Sequence, residues 1–274
     1  MLPDKEMREF IYGLGIVVAT FVFYIYNIFQ YKHKKASRCK LYLMINEKVA
    51  GDEKKQKLMF FLSIVELVIC SAFLYVPTLF NVAFGRFVGT GANYFGLLFL
   101  APISLSLSSF LLWNDPLKQA DISTPGLPLA LVFMKITCFT SGCCHGVWWP
   151  GGPYSYRNER EEFPIQLVEA AVALALFFFL LWYKKRAKTG TVLPVYTILY
   201  SSIRFITEFW RGQELVWRSL RVYHFFCIIG FVVGVIELIV VLKYGDKISK
   251  YFENTFYFSR KRNQKLKEKE VLKT

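Results

Sequence analysis

The sequence has little of what keeps a soluble domain in water. Only 20% of its 274 residues are charged, against 54% hydrophobic and 18% aromatic, 27 of them Phe, the profile of a chain dissolved in lipid. It has no Gly/Ser/Pro-rich linker and no internal repeat, so tethered modules and solenoids are not expected. None of the six cysteines forms a C-x-x-C pair, which argues against a thioredoxin-like redox motif and a zinc ribbon. No small-residue cleavage site follows the first apolar run, which therefore reads as a permanent anchor rather than a signal peptide.

What the sequence does have is long apolar runs. A spanning helix needs about 20 apolar residues, because lipid offers the backbone no water to bond. Seven such runs are readable, at residues 10–30, 58–80, 93–113, 127–144, 164–183, 192–210 and 222–242. The net charge of +14 is concentrated between them. Lys32, Lys34, Lys35, Arg38 and Lys40 follow the first run, Lys184, Lys185, Arg186 and Lys188 follow the fifth, and a basic tail begins at Lys243. Under the positive-inside rule these segments are cytoplasmic and the N-terminus lies outside. The expectation is an all-α integral membrane protein of seven transmembrane helices over residues 1–245, with a basic cytoplasmic tail over residues 246–274. The charge suits anionic lipid headgroups and gives no reason to expect a nucleic acid.

A charge inside the bilayer costs roughly 2.5–3.5 kcal/mol on insertion scales, so each one marks a function or an internal pair. The candidates are Glu66, Lys135, Glu169, Arg204 and Glu208. Arg204 and Glu208 are four apart and share a helical face, so they can pair with each other. Lys135 can turn inward or snorkel to an interface. Near the outer ends lie WWPGGPYSYRNEREEFP (148–164) and EFWRGQELVWRSLRVYH (208–224). Their arginines, Arg157, Arg160, Arg211, Arg218 and Arg221, run against the positive-inside trend. They suit phosphate recognition, since a guanidinium fork matches phosphate oxygens; equally, Glu159, Glu161 and Glu162 can neutralise them in an ordinary loop.

KITCFTSGCCHGVWW (135–149) holds one lysine, three cysteines and one histidine. It can be read as a metal site, a redox relay, a nucleophile beside Lys135 or His145, or a turn of small residues that lets helices approach closely. Adjacent Cys143 and Cys144 are an awkward pair to bring to one ion together with Cys138 from a helix, which weighs against metal.

Two further segments carry a resemblance. FPIQLVEAAVALAL, from Phe163, and GTVLPVYTILYSSIRFITEFWRG, ending at Gly212, resemble the prolipoprotein diacylglyceryl transferases of bacteria. Pro164, Gln166, Leu167 and Glu169 match one family motif; Gly190, Arg204, Phe205, Glu208 and Arg211 match the second. More loosely, residues 135–146 fall on the family's signature segment, with Lys135 in place of its arginine and Cys138, Ser141 and Cys143 in place of its asparagines and glutamate. NYFGLL (93–98) falls on a third-span motif, and Phe95 and Phe163 stand where the family has histidines. The resemblance implies a multi-pass enzyme of the bacterial plasma membrane that moves the diacylglyceryl group of phosphatidylglycerol to the lipobox cysteine of prolipoprotein signal peptides, with no cofactor and no metal. It implies catalytic roles for Arg204, Glu208, Glu169, His145 and Lys135, and substrate contacts for Gln166, Arg211, Pro164, Cys143 and Tyr94. The base that takes the acceptor thiol proton is then His145 or Glu169. A catalytically altered paralogue that binds phospholipid or uses another acceptor is the alternative, and a transporter, lacking an inverted repeat, is a weaker one.

Overall fold

The computed structural model describes residues 4–33, 98, 115–212 and 220–271. Glu66, Tyr94, Phe95 and Arg218, the second expected span and nearly all of the third lie outside these residues. The elements described are α1 (Lys5–His33), α2 (Pro116–Ser123), α3 (Gly126–Ser141), β1 (Tyr154–Ser155), β2 (Arg160–Glu161), α4 (Ile165–Tyr183), α5 (Val192–Thr207), a 3-10 turn (Glu208–Trp210) and α6 (Val222–Val271). Four stretches are long and apolar enough to cross a membrane: Lys5–Asn27, Pro116–Ser141, Ile165–Tyr183 and Val222–Phe252. Helix α5 coincides with most of the sixth expected span, but its 16 residues rise only about 24 Å at 1.5 Å per residue.

The chain divides into two compact units. The first holds residues 1–34, 121–188 and 192–238; the second holds residues 35–120, 189–191 and 239–274. In the second unit Gly190, at φ 89, sits so close to Val241 and Leu117 that an added Cβ would lie about 3 Å from both side chains. Only glycine suits that conformation and that space.

Helix starts and stops follow local chemistry. Asp4 Oδ1 accepts from Glu6 N–H at 3.0 Å at the start of α1. Asp115 Oδ1 does the same for Leu117 N–H at 2.9 Å, with Pro116 at the first helical position, where its missing N–H costs nothing. Helix α3 ends at Ser141, three residues before the expected end of its span, because Gly142 turns left-handed at φ 69. The N–H groups of Gly142 and Cys143 then return to the carbonyls of Phe139 and Cys138, satisfying the last turn. Cys143 and Cys144 are thereby outside the helix.

Helices α3, α4 and α5 bury one stripe each. On α4 it runs Ile165, Gln166, Glu169, Ala170, Ala173, Leu176 and Leu180, the three-to-four spacing of one helical face. The opposite face exposes Leu174, Phe178 and Trp182, as a lipid-facing helix does. Helix α1 packs closely on α3 at Gly15, where a Cβ would come within 2.3 Å of the Thr137 side chain. Gly15→Val is expected to push the two helices apart and destabilise the protein by about 1–3 kcal/mol through overpacking, read as a lower midpoint in detergent thermal unfolding.

Candidate functional site

The inward stripes of three helices place their charged residues together. Lys135 comes from α3, Glu169 from the first turns of α4, and Arg204 from the end of α5; Glu208 and Arg211 follow on the 3-10 turn and just after it. All five are buried. Glu169 is the hub. Its Oε2 receives Lys135 Nζ at 2.7 Å and Arg211 Nη2, and its Oε1 receives Arg204 Nη1 and, at 3.3 Å, the Thr207 hydroxyl. An ionised carboxylate has about four acceptor positions, and here four donors occupy them.

Arg204 bridges the two carboxylates, since its Nη2 also pairs with Glu208 Oε2 one helical turn on. Its Cζ lies over the Tyr223 ring, 5.8 Å from the ring centre, within cation–π range. Glu208 is fully buried; among the described residues neither its Oε1 nor Arg211 Nε has a hydrogen-bond partner. Among the described residues, Lys135, Arg204 and Arg211 against Glu169 and Glu208 leave one positive charge in excess, and Arg221 donates to the Glu208 carbonyl at 2.8 Å. Burial opposes the charge on Arg211, but the Glu169 carboxylate beside it prevails and raises its pKa above the ordinary guanidinium value. A buried cluster whose described residues carry net positive charge, with one guanidinium N–H unpaired among them, suits an anion.

The cysteine turn is attached to this cluster. Arg211 Nη1 donates to the Cys144 carbonyl, and Gln166 Nε2 donates to the Cys143 carbonyl at 2.8 Å. Residues 145–149 then run between two neighbours: Val147 N–H bonds Trp210 O at 3.0 Å, Gly212 N–H bonds His145 O at 3.0 Å, and Phe163 N–H bonds Val147 O at 2.9 Å. At Gly146 a Cβ would lie 2.1 Å from the Phe163 carbonyl oxygen, so only glycine permits this approach. Gln166→Leu is expected to free the buried turn carbonyl and cost about 1–3 kcal/mol, with faster amide exchange at residues 142–146 as the specific readout.

Of the sequence-derived site residues, the structure brings together Lys135, Glu169, Arg204, Glu208 and Arg211, with Gln166 one step away through the turn. Pro164 caps α4. Lys135 does not snorkel; it is 9% exposed and paired. Arg204 and Glu208 pair as their spacing allows, but not exclusively. His145 lies against Gly212, and among the described residues it forms no ion pair with Glu169 or Glu208. Arg160 is neutralised by Glu162 at 3.1 Å, the ordinary-loop outcome, whereas Arg211 is not a loop charge at all. Cys143 and Cys144, an awkward pair to bring to one point with Cys138 by sequence, nevertheless have their sulfurs within 4.8 Å of one another and of the Cys138 sulfur. Gly142 at φ 69 and Cys144 at φ 56 fold the turn back on the end of α3.

The sequence reading missed Thr207, Tyr223 and His224. His224 is fully buried; its Nδ1 accepts from Arg221 N–H at 2.9 Å, and its ring packs against those of Phe205 and Phe209 at 4.9 and 4.5 Å. Its separation of 16 residues from Glu208, across an apparent loop, gave no periodicity to find it by.

Buried ion pairs at the ends of apolar helices define a class: membrane proteins with paired ionisable side chains inside their helical core. The comparisons narrow it. The sequence model of the prolipoprotein diacylglyceryl transferase family matches residues 6–240, and the chain belongs to that family. It is 30% identical over 215 residues to a Clostridium perfringens protein named phosphatidylglycerol–prolipoprotein diacylglyceryl transferase 2, covering 74% of this chain and 78% of that one. Proteins carrying the same enzyme name without the numeral match from Clostridium tetani, 34% identical over 46% of this chain and 54% of that one, and from Helicobacter pylori, 30% identical over 61% and 62%. The alignment thus spans about half the length of the Clostridium tetani relative.

Proposed function

We propose that this protein is a phosphatidylglycerol–prolipoprotein diacylglyceryl transferase of the bacterial inner membrane, with seven spans, an outward N-terminus and a cytoplasmic basic tail. Its substrates are phosphatidylglycerol and the signal peptides of prolipoproteins. The lipobox thiol forms a thioether to the glycerol carbon of the diacylglyceryl group, the bond from that carbon to the phosphate oxygen breaks, and glycerol phosphate leaves with one more negative charge. The observation that carries this reading is the Glu169-centred cluster with its excess of positive charge.

Charge grows on the phosphate as it leaves, and preorganised cations in a water-poor site stabilise that growth most. Arg204 and Arg211 supply them, with Arg211 Nε as a donor not already engaged. Lys135 holds Glu169 from the side opposite in chain order, fixing the carboxylate that orients both arginines. The acceptor thiol must lose its proton to a nearby base. Glu169 has its acceptor positions filled, whereas Glu208 Oε1 is unengaged among the described residues, so Glu208 is the better relay. The exposed aromatic rings of Trp148, Trp149, Phe209 and Trp210 set this end of the molecule at headgroup depth, where the phosphate of the donor lies.

The test is mass spectrometry of a lipobox peptide incubated with phosphatidylglycerol vesicles and the purified protein. A diacylglyceryl adduct on the peptide cysteine is the expected result. No adduct, with phosphatidylglycerol still bound, would replace this reading with that of a lipid-binding paralogue.

A further inference from the structure

Three thiols that meet at one point are not needed to hold a turn, and the reaction above uses none of them. Cys138 is buried on α3, Cys143 is half-buried and Cys144 is exposed. Their sulfurs lie within 4.8 Å of one another, and the Ser141 hydroxyl lies 3.4 Å from the Cys143 sulfur. A metal bound by three thiolates at about 2.3 Å requires sulfurs about 4 Å apart, which small side-chain rotations reach from here.

The backbone is set in advance. The left-handed Gly142 and Cys144 fix the fold of the turn, and Gln166 and Arg211 hold the carbonyls of Cys143 and Cys144. Metal ligands on a braced backbone lose less entropy on binding. The charge also suits thiolates: Lys135 stands one turn before Cys138 on the same helix, and Arg211 touches the residue that carries the third sulfur.

We propose that Cys138, Cys143 and Cys144 form a three-thiolate site for a soft, thiophilic d10 cation, with Cu(I) the best fit. Soft sulfur donors select Cu(I) and Zn(II) over hard cations. Zn(II) in structural sites takes four ligands, and among the described residues no histidine or carboxylate joins the three sulfurs. Binding displaces the thiol protons to solvent and needs no oxidant. The ligands are the three sulfurs alone, so the site does not depend on the transferase reading; the ion-pair cluster contributes only the nearby charge of Lys135 and the hold of Arg211 on the turn.

The experiment is an anaerobic titration of the full-length protein in detergent, reduced with a phosphine, against Cu(I) buffered by a chromogenic chelator. X-ray absorption of the loaded protein is measured alongside. One Cu(I) per chain with three sulfur neighbours is expected. Cys138→Ser, Cys143→Ser and Cys144→Ser should each weaken binding at least tenfold, while Cys227→Ser, at a buried cysteine elsewhere in the chain, should not. Bound Cu(I) should also slow alkylation of Cys144 by iodoacetamide. Two-coordinate copper, nitrogen or oxygen neighbours, or binding unchanged in Cys144→Ser would overturn the proposal. The X-ray absorption readout uses the unaltered protein, so it stands even if a buried serine variant fails to fold.

Discussion

Glu169→Gln is expected to be the most damaging single change in the protein, lowering stability by about 3–5 kcal/mol, the usual cost of breaking a buried ion pair from one side. Glutamine keeps the shape of glutamate but has one acceptor oxygen and no charge. Among the described residues, Lys135, Arg204 and Arg211 would then have only the Glu208 carboxylate in the buried cluster. The midpoint of thermal unfolding in detergent measures the loss. A second substitution separates charge from geometry: Lys135→Met in the Glu169→Gln background removes one of the stranded cations and should recover part of the stability. Residues in one network couple in this way. If Glu169→Gln unfolds like the unaltered protein, the cluster is not what holds α3, α4 and α5 together at this end.

Much of that cluster was legible in the sequence, and for one physical reason. A charge in an apolar helix has few ways to exist, so Lys135, Glu169, Arg204 and Glu208 each announced an internal partner. Helical spacing supplied the Arg204 to Glu208 pair. The role of Glu169 as common partner was not legible, because it depends on how three helices face each other and not on any one of their patterns. Nor was the hold of Gln166 on the Cys143 carbonyl, since its matched motif says only that an amide is present. The cysteine turn misled for a different reason. Adjacent side chains normally point apart, and only two left-handed residues in three, Gly142 and Cys144, bring their sulfurs to a common point. Left-handed backbone is common for glycine but uncommon for cysteine, so the sequence favoured divergence. The extension of α6 to Val271, well past the apolar run, reflects strong helix formers such as Lys, Gln, Glu and Leu in that tail.

The arrangement ties two features that the sequence kept apart. Arg211 touches both Glu169 and the Cys144 carbonyl, so the position of the turn and the position of a proposed phosphate donor are set by one side chain. A change that moves the turn therefore moves a cation of the site, and Gln166 resists it from the Cys143 carbonyl.

Arg204→Lys tests the chemistry with the least disturbance to the fold. Lysine retains the charge but loses the planar fork, so it cannot meet Glu169 and Glu208 at once while facing a third anion. Stability should fall less than in Glu169→Gln, because both carboxylates keep a cation nearby. Transfer of the diacylglyceryl group should fall about 100- to 1,000-fold, the scale seen when one preorganised donor to a developing charge is lost. The division between constants is the informative part. If Arg204 acts on the leaving phosphate, kcat falls and KM stays within a few fold; if it only anchors the lipid before reaction, KM rises and kcat is kept. Arg204→Ala should abolish transfer, and full activity in that variant would remove the arginine from the reaction altogether.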